Sequence, residues 1–374
     1  MMVPTDINPE ELLQHGISLS QRGDYSGALS FFNQTLELRP DSLEAWSEKG
    51  GALINLGQLE PALRCFERSL LVHPTSPYLH YHHAWTAHLA GLYDNAANGF
   101  KRCLELQPNY PNAHYGVGLA LYMLGRYEDA IPQLKKATEL APEDRDCFYV
   151  QGVALLMTGR YEGAVTHFNR ALEIDPQHAE SLSNRAQALV SLADYEAALA
   201  SFDSALKIND EDPQAWYQRG IALKYLNRHK DAIASYQRSL EIDQEQPSTW
   251  YNKGFSHMKM EAYSQALSAF DRAVEIQPTY HEAWYNRGVV LKMLGRLEEA
   301  VVSYDQALEI RPNDFRAWNN RGGLLVSLGQ YESAITSYDR ALQLRPDDAI
   351  AEKNRAVAIR KLERRTASVQ IPQG

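Results

Sequence analysis

The side chains with most capacity for chemistry lie early in the chain, where His73, His80, His82, His83 and His88 are followed by His114. Imidazoles hold zinc or move protons when several converge with a carboxylate or thiolate. His80 and His83 are spaced to share one face of a helix. No HExxH pair and no supporting Cys or Asp set completes a site, so packing and surface roles are expected, with no metal and no cofactor. Cys65, Cys103 and Cys147 are widely separated and form no CxxC pair. Such sparse thiols read as reduced side chains of a cytoplasmic protein, not as a disulfide framework or zinc ligands. The phosphate-cradling GxxxxGK[ST] and GxGxxG loops and the GxSxG elbow are absent. Carboxylates are plentiful but recur as helix-starting acids, a solvated pattern, so no catalytic residue is assigned and a non-enzymatic chain is expected.

Composition narrows the partners. Asp and Glu total 47 against 37 Lys and Arg, a net charge of −10, which argues against nucleic acid. No run of apolar residues is long enough to span a membrane. The opening residues 1–8 lack a signal-peptide pattern and are expected to be flexible, as is a polar tail at 366–374. At 44% apolar, the remainder has enough hydrophobic material to fold throughout.

Whatever the chain binds must be carried by its elements, and these repeat. AWSEKG (45–50), AWYQRG (215–220), TWYNKG (249–254), AWYNRG (283–288) and AWNNRG (317–322) place Trp46, Trp216, Trp250, Trp284 and Trp318 at 34 residues or a multiple of it. The register runs without insertion through ten units: 9–42, 43–76, 77–110, 111–144, 145–178, 179–212, 213–246, 247–280, 281–314 and 315–348. One slot is always Ala, from Ala28 and Ala62 through Ala334. Four residues on comes a large apolar side chain, Phe32, Phe66, Phe100 or Leu134 and later Tyr304 and Tyr338. A third slot takes only Gly or Ala, among them Gly16, Gly50, Ala84 and Gly220.

In the ninth unit Trp284, Gly288 and Leu291 form one stripe of a first helix, and Gly295–Arg296 break it. Glu298 and Glu299 open a second helix, Ala300, Tyr304 and Ala307 form its stripe, and Pro312 ends the unit. Trp and Tyr are expected to fill the space between units, so that losing one interior Trp costs about 3–5 kcal/mol. One hairpin cannot bury both of its faces, so neighbours must stack. Pro132 is expected inside a second helix, at the expense of one hydrogen bond. Segment 349–365 keeps the first-helix register without its Trp and Gly, carries about four net positive charges, and reads as a capping helix.

This period and the W-x2-L-G-x2-Y…A-x3-F…P pattern resemble the tetratricopeptide repeat family. The resemblance covers about nine tenths of the chain. It implies an all-α fold, a right-handed superhelical α-solenoid of ten helix hairpins plus the cap, making somewhat more than one turn. It also implies that the first helices line a concave groove that holds protein or peptide partners. Departures occur where the family has Leu before the Gly: this chain has Arg185, Arg219, Lys253, Arg287 and Arg321. Asp210 and Gln244 replace the closing Pro. The terminal-carboxylate clamp of some co-chaperone members, a Lys and an Asn one turn apart, has no match here.

Within that scheme, the residue after the Trp slot is Tyr81, Tyr115, Tyr149, Tyr217, Tyr251 or Tyr285, and the next is Asn184, Gln218, Asn252, Asn286, Asn320 or Asn354. The amide series resembles the Asn ladder of O-linked N-acetylglucosamine transferases, where amides clamp a peptide backbone. An amide both donates and accepts, so it can pair with backbone whatever the side chain. The competing reading is that these rings pack between neighbours and the amides are merely solvated. Units three to five add Trp85, Leu119 and Tyr122, with Trp85 either an exposed anchor or a filler where His80 replaces Trp. Units seven to nine add Lys224, Phe255, Lys259 and Lys292, suited to acidic and apolar ligand side chains.

The Arg series is expected to pair inside the chain. Arg185, Lys253, Arg287 and Arg321 share units with Asp203, Asp271, Asp305 and Asp339, whereas Arg219 shares its unit with Gln237. The function that follows is a cytoplasmic scaffold or adaptor for extended protein segments, monomeric or weakly self-associating. The alternatives are the recognition part of a larger enzyme or signalling assembly, and a self-assembling module that stacks through Leu12, Leu13 and Ile17 of an uncapped first repeat.

Overall fold

The computed structural model describes residues 8–369, and all its regular structure is helical. The chain forms two compact units, Met1–Leu192 and Ala193–Gly374. In the first lie α1 (Pro9–Gln21), α2 (Tyr25–Leu38), α3 (Leu43–Asn55), α4 (Leu59–Val72), α5 (Pro77–Leu89), α6 (Tyr93–Leu106), α7 (Pro111–Met123), α8 (Tyr127–Leu140), α9 (Arg145–Met157), α10 (Tyr161–Ile174) and α11 (Ala179–Ser191). In the second lie α12 (Tyr195–Ile208), α13 (Pro213–Tyr225), α14 (His229–Ile242), α15 (Pro247–Lys259), α16 (Tyr263–Ile276), α17 (His281–Met293), α18 (Leu297–Ile310), α19 (Phe315–Ser327), α20 (Tyr331–Leu344) and α21 (Ala349–Val369). Odd-numbered helices up to α19, the first helices, span 13 residues, and even-numbered ones, the second helices, span 14.

Local chemistry sets these lengths. Ser42, Ser76, Asp144, Asp212 and Asp314 cap first helices by accepting from backbone N–H groups of the opening turn. Proline opens α1, α5, α7, α13 and α15, where a missing N–H costs nothing. Between the helices of each repeat one residue turns left-handed, as at Gly57 (φ 70°) and Gly295 (φ 74°). The chain then closes with Gln58 N–H donating to the Leu53 carbonyl at 2.9 Å. Ala193, Asn227 and Glu261 hold the same left-handed slot without being glycine.

Within each unit every helix packs on the next in sequence, and first helices also touch the neighbouring first helix, as in α5–α7, α7–α9, α13–α15 and α15–α17. The core is the large apolar slot of the second helices. Phe32, Phe66, Phe100, Phe168, Phe270 and Tyr304 are all fully buried. The small slot faces them: a Cβ on Gly50 would lie 2.2 Å from Phe66 Cζ, and one on Gly220 would lie 2.4 Å from Tyr236 Cε1. Where that slot holds Ala84, room comes from Gly99, whose added Cβ would fall 2.8 Å from that of Ala84. Pro132 lies inside α8, which continues through it to Leu140.

Four expectations change. Trp46, Trp250, Trp284 and Trp318 pack against the core between repeats as expected, but these and Trp216 are only half-buried and not sealed into it. Each indole N–H also donates to the carbonyl six residues earlier, to Pro40, Asp210, Gln244, Pro278 and Pro312, at 2.8–2.9 Å. The Trp thus fastens its first helix to the loop before it, and the full burial cost expected for its loss does not apply. Leu13 is 3% exposed and belongs to the core with Phe32, leaving only Leu12 and Ile17 partly accessible at the first repeat. The capping helix does not stop at 365 but runs to Val369, so only the end of the expected tail lies outside the described residues. At the other end, Asn8 is ordered and caps α1, while 1–7 fall outside the described residues.

Candidate functional site

The Tyr and Asn series are not two free ladders. Each Asn donates its amide N–H to the phenol of the preceding repeat, 35 residues back: Asn184 to Tyr149 (3.2 Å), Asn252 to Tyr217 (3.4 Å), Asn286 to Tyr251 (3.1 Å) and Asn320 to Tyr285 (3.0 Å). Gln218 and Asn354 lack this bond because Ser183 and Asn319 stand where the phenol would be. The tyrosines are half-buried, and burial raises the phenol pKa of Tyr149, Tyr217, Tyr251 and Tyr285 while the Asn bond opposes the rise. Asn252 departs furthest from the expected free amide. At 6% exposure it donates to Tyr217 and to the Ser248 carbonyl and accepts from Lys224 Nζ at 2.9 Å.

In the first unit the first-helix face opens into a cavity of about 420 Å³ between α7 and α9. The sequence-predicted Tyr115, Leu119, Tyr122 and Tyr149 line it together with Val150 and Val153. Three polar residues at its edge, Asp146, His178 and Glu180, escaped sequence reasoning. They sit at the starts of α9 and α11, where acids read as ordinary helix-starting residues. The missed signal is periodic: Asp146 and Glu180 each follow a ladder tyrosine by 31 residues, and the same offset gives Asn112, Ser248, Glu282 and Arg316 elsewhere. His178 packs edge-on against Tyr149 at 5.0 Å, donates or accepts at Ser181 Oγ (2.7 Å) and lies 3.3 Å from Glu180. Burial raises the Tyr115 phenol pKa, and the Asp146 charge adds to the rise.

Tyr81 is set apart from this cavity, packed on Tyr110 at 5.2 Å and Phe100 at 5.6 Å. Trp85 is half-buried, stacked on His88 at 5.4 Å and edge-on to Phe100 at 6.5 Å, which joins both of its sequence readings in part. Beside it Leu89, Met123 and Met157 stand exposed in one slot of three successive repeats.

In the second unit Lys224 and Lys259 approach the Phe255 ring, at 5.9 and 5.4 Å from its centroid. Burial lowers the Lys224 pKa, and after burial the two lysines lower that of His229. Tyr225 stacks on Tyr195 at 4.9 Å. Lys292 is exposed one repeat further on.

The Arg series pairs, but with the repeat before its own. Arg219 Nε donates to Asp203 (2.7 Å), Arg287 to Asp271 (2.6 Å) and Arg321 to Asp305 (2.5 Å), each 16 residues back. Nη1 of the same three side chains donates to Ser235, Ser303 and Ser337 in its own repeat, at 2.6–2.7 Å. Lys253 follows the rule with Gln237, Arg185 with Asn169, and Arg355 of the capping helix with Asp339. Arg219 therefore finds an Asp after all, and Gln237 serves Lys253. Each guanidinium also lies over its neighbouring Trp, at 5.7, 5.5 and 5.8 Å for Trp216, Trp284 and Trp318.

The histidines are spent locally. His80 and His114 take the Trp role, bonding the Pro74 and Pro108 carbonyls at 3.0 and 2.9 Å, and His73 bonds the Asp41 carbonyl at 2.8 Å. His82 stacks on Phe66, and His83 lies 3.8 Å from Glu67. Among the described residues no group of three or more His, Cys, Asp or Glu could hold a metal ion, and no helix is long and apolar enough to cross a membrane.

Comparison with known proteins completes the picture. Tetratricopeptide repeat profiles match residues 19–85, 83–144, 115–179 and 155–220, and then 213–246, 247–280, 281–314 and 315–348. The chain is 40% identical over 63 residues to the uncharacterized protein MJ0572 of Methanocaldococcus jannaschii, covering 17% of this chain and 73% of that one. Among solved structures it is similar to YrrB, described as a TPR protein with an unusual peptide-binding site (28% identity, TM-score 0.46, 50% of this chain and 96% of that one). It is also similar to a chain of the APC/C hetero-tetramer Cut9–Hcn1 (13% identity, TM-score 0.43, 94% of this chain and 90% of that one). With profiles running from residue 19 to residue 348 over helix hairpins of constant length, the chain belongs to the tetratricopeptide repeat family, whose repeats generally serve as protein-interaction scaffolds.

Proposed function

We propose that this chain is a non-enzymatic scaffold that holds extended segments of partner proteins along its first-helix faces. The observation that supports it best is the cavity between α7 and α9, where half-buried Tyr115, Leu119, Tyr122 and Tyr149 stay accessible on a face that packing has not consumed. Rigid aromatic side chains beside apolar ones are what a peptide anchor needs. In the second unit the Phe255 ring between Lys224 and Lys259 would receive an apolar side chain next to an acid, and Asn286 and Asn320 would pair with peptide backbone. Asn252 acts there by holding Tyr217 and Lys224 in place. Three buried free thiols suit the cytoplasm as the working compartment.

Panning a random dodecapeptide library on the full chain tests this. Selected peptides should bind with micromolar affinity in solution, and Tyr122→Ala should weaken them about tenfold while leaving the helical circular dichroism unchanged. A library that yields no binder would sink the scaffold reading. Binders indifferent to Tyr122 and to Phe255→Ala alike would put the site on another face.

A further inference from the structure

We propose that the cavity between α7 and α9 takes an arginine side chain of the bound segment, which makes repeats four to six the specificity-setting part of the array. This rests on the peptide-holding reading above and adds the chemistry of the anchor.

The cavity pairs two kinds of wall. Its floor is apolar and aromatic, from Leu119, Val153 and the rings of Tyr115, Tyr122 and Tyr149. Its charged lining is acidic only: Asp146 and Glu180 line it, and no Lys or Arg does. Both carboxylates are accessible, with side chains 53% and 65% exposed. A planar guanidinium on a long methylene stem matches this division, because the stem and π face lie on the rings while the rim N–H groups reach carboxylate oxygens. Lysine would meet the charge but could neither stack as a plane nor pair with a carboxylate through a bidentate fork. An acidic side chain would be repelled.

The acids are held but not neutralised. Arg145 donates its Nε and Nη2 to Asp146 Oδ1 at 2.9 and 2.7 Å, and its Nη1 goes to Asp175 at 2.8 Å. One cation is thus divided between two carboxylates, Arg145 engages only Oδ1 of Asp146, and Glu180 lies 3.3 Å from His178. Asn184 fixes the Tyr149 phenol from the next repeat.

The second unit supplies an internal precedent. Arg316 stands 31 residues after Tyr285, the offset that relates Asp146 to Tyr115, and its guanidinium lies over the Tyr285 ring at 5.6 Å from the centroid. A ladder tyrosine of this chain therefore already has an arginine over its ring. At Tyr115 and Tyr149 the same offset carries an acid, so no guanidinium is supplied to those rings from that position.

The test uses the dodecapeptides panned on the full chain, labelled with fluorescein and titrated by anisotropy. Arginine should be enriched at one position, and replacing it with Leu should weaken binding to the wild type about tenfold, with Lys intermediate. On the Asp146→Asn/Glu180→Gln double variant, whose exposed side chains leave folding intact, the Arg and Leu peptides should bind equally. Peptides that depend on Tyr122 but lack an enriched arginine would overturn this inference and leave the scaffold standing. So would an Arg-to-Leu cost of the same size on wild type and variant. Failure to select any peptide would remove both.

Discussion

Gly50 and Gly51 are neighbours in α3 with opposite obligations. A Cβ on Gly50 would strike the Phe66 ring, whereas one on Gly51 meets nothing within 4 Å. Gly50→Ala should therefore cost about 1–3 kcal/mol through overpacking, and Gly51→Ala should gain about 0.5–1 kcal/mol by limiting the unfolded chain. Opposite shifts of the thermal midpoint by circular dichroism would confirm this; equal shifts would contradict it. The thiols give a second residue-scale prediction. Burial pushes Cys65 and Cys103 up to about 11 and Cys147, next to Asp144, up to about 12. Iodoacetamide at neutral pH should leave all three unmodified in the folded chain and label all three in urea, read by intact mass. At this scale the sequence showed the size limit of the Gly slot, because a repeated absence of bulk is visible in residue types. It did not show the work of the Trp. A hydrogen bond to a loop carbonyl six residues back leaves no trace in hydropathy, and only His80 and His114, each able to make the same bond, hinted at it. Trp284→His should accordingly keep more stability than Trp284→Phe, by about 1 kcal/mol.

Helices and turns carry the next set of consequences. The left-handed residue between paired helices is strained when it has a Cβ, and Glu261 occupies it at φ 58°. Glu261→Gly should raise the thermal midpoint, a gain of about 1 kcal/mol, and Gly295→Ala at φ 74° should lose a similar amount. The cross-repeat bridge makes a weaker contribution, because Asp271 is 47% exposed even though Arg287 is only 18% exposed. A double-mutant cycle between Arg287→Met and Asp271→Asn should give a coupling of about 1 kcal/mol or less. Internal pairing was legible in the matched appearance of Arg and Asp. The partner was not, since sequence offers Asp305 eighteen residues ahead of Arg287 and Asp271 sixteen behind, and only helix stacking decides between them. The same limit hid Asp146 and Glu180, which look like helix-starting acids until the preceding tyrosine is seen beside them.

For the molecule as a whole, contacts within each unit reach the neighbouring helices and little further. Stability is then a chain of local terms, and unfolding should proceed by segments without one all-or-none step. Hydrogen exchange by mass spectrometry should show α1, α2 and α21 exchanging well before α5–α8 and α15–α18, and uniform protection would contradict it. The bridges add a consequence for how such a chain changes over generations. The bridging Arg, Lys and Asn side chains reach back by fixed counts, 16 residues for the cations and 35 for the amides, to the repeat before. Excising 281–314 would deliver Arg321 to Asp271 and Asn320 to Tyr251, and neither side chain would be orphaned. Unequal recombination in the gene can thus raise or lower the copy number of hairpins in a single event, with the joint already compatible, and lengthen or shorten the first-helix face without redesigning it.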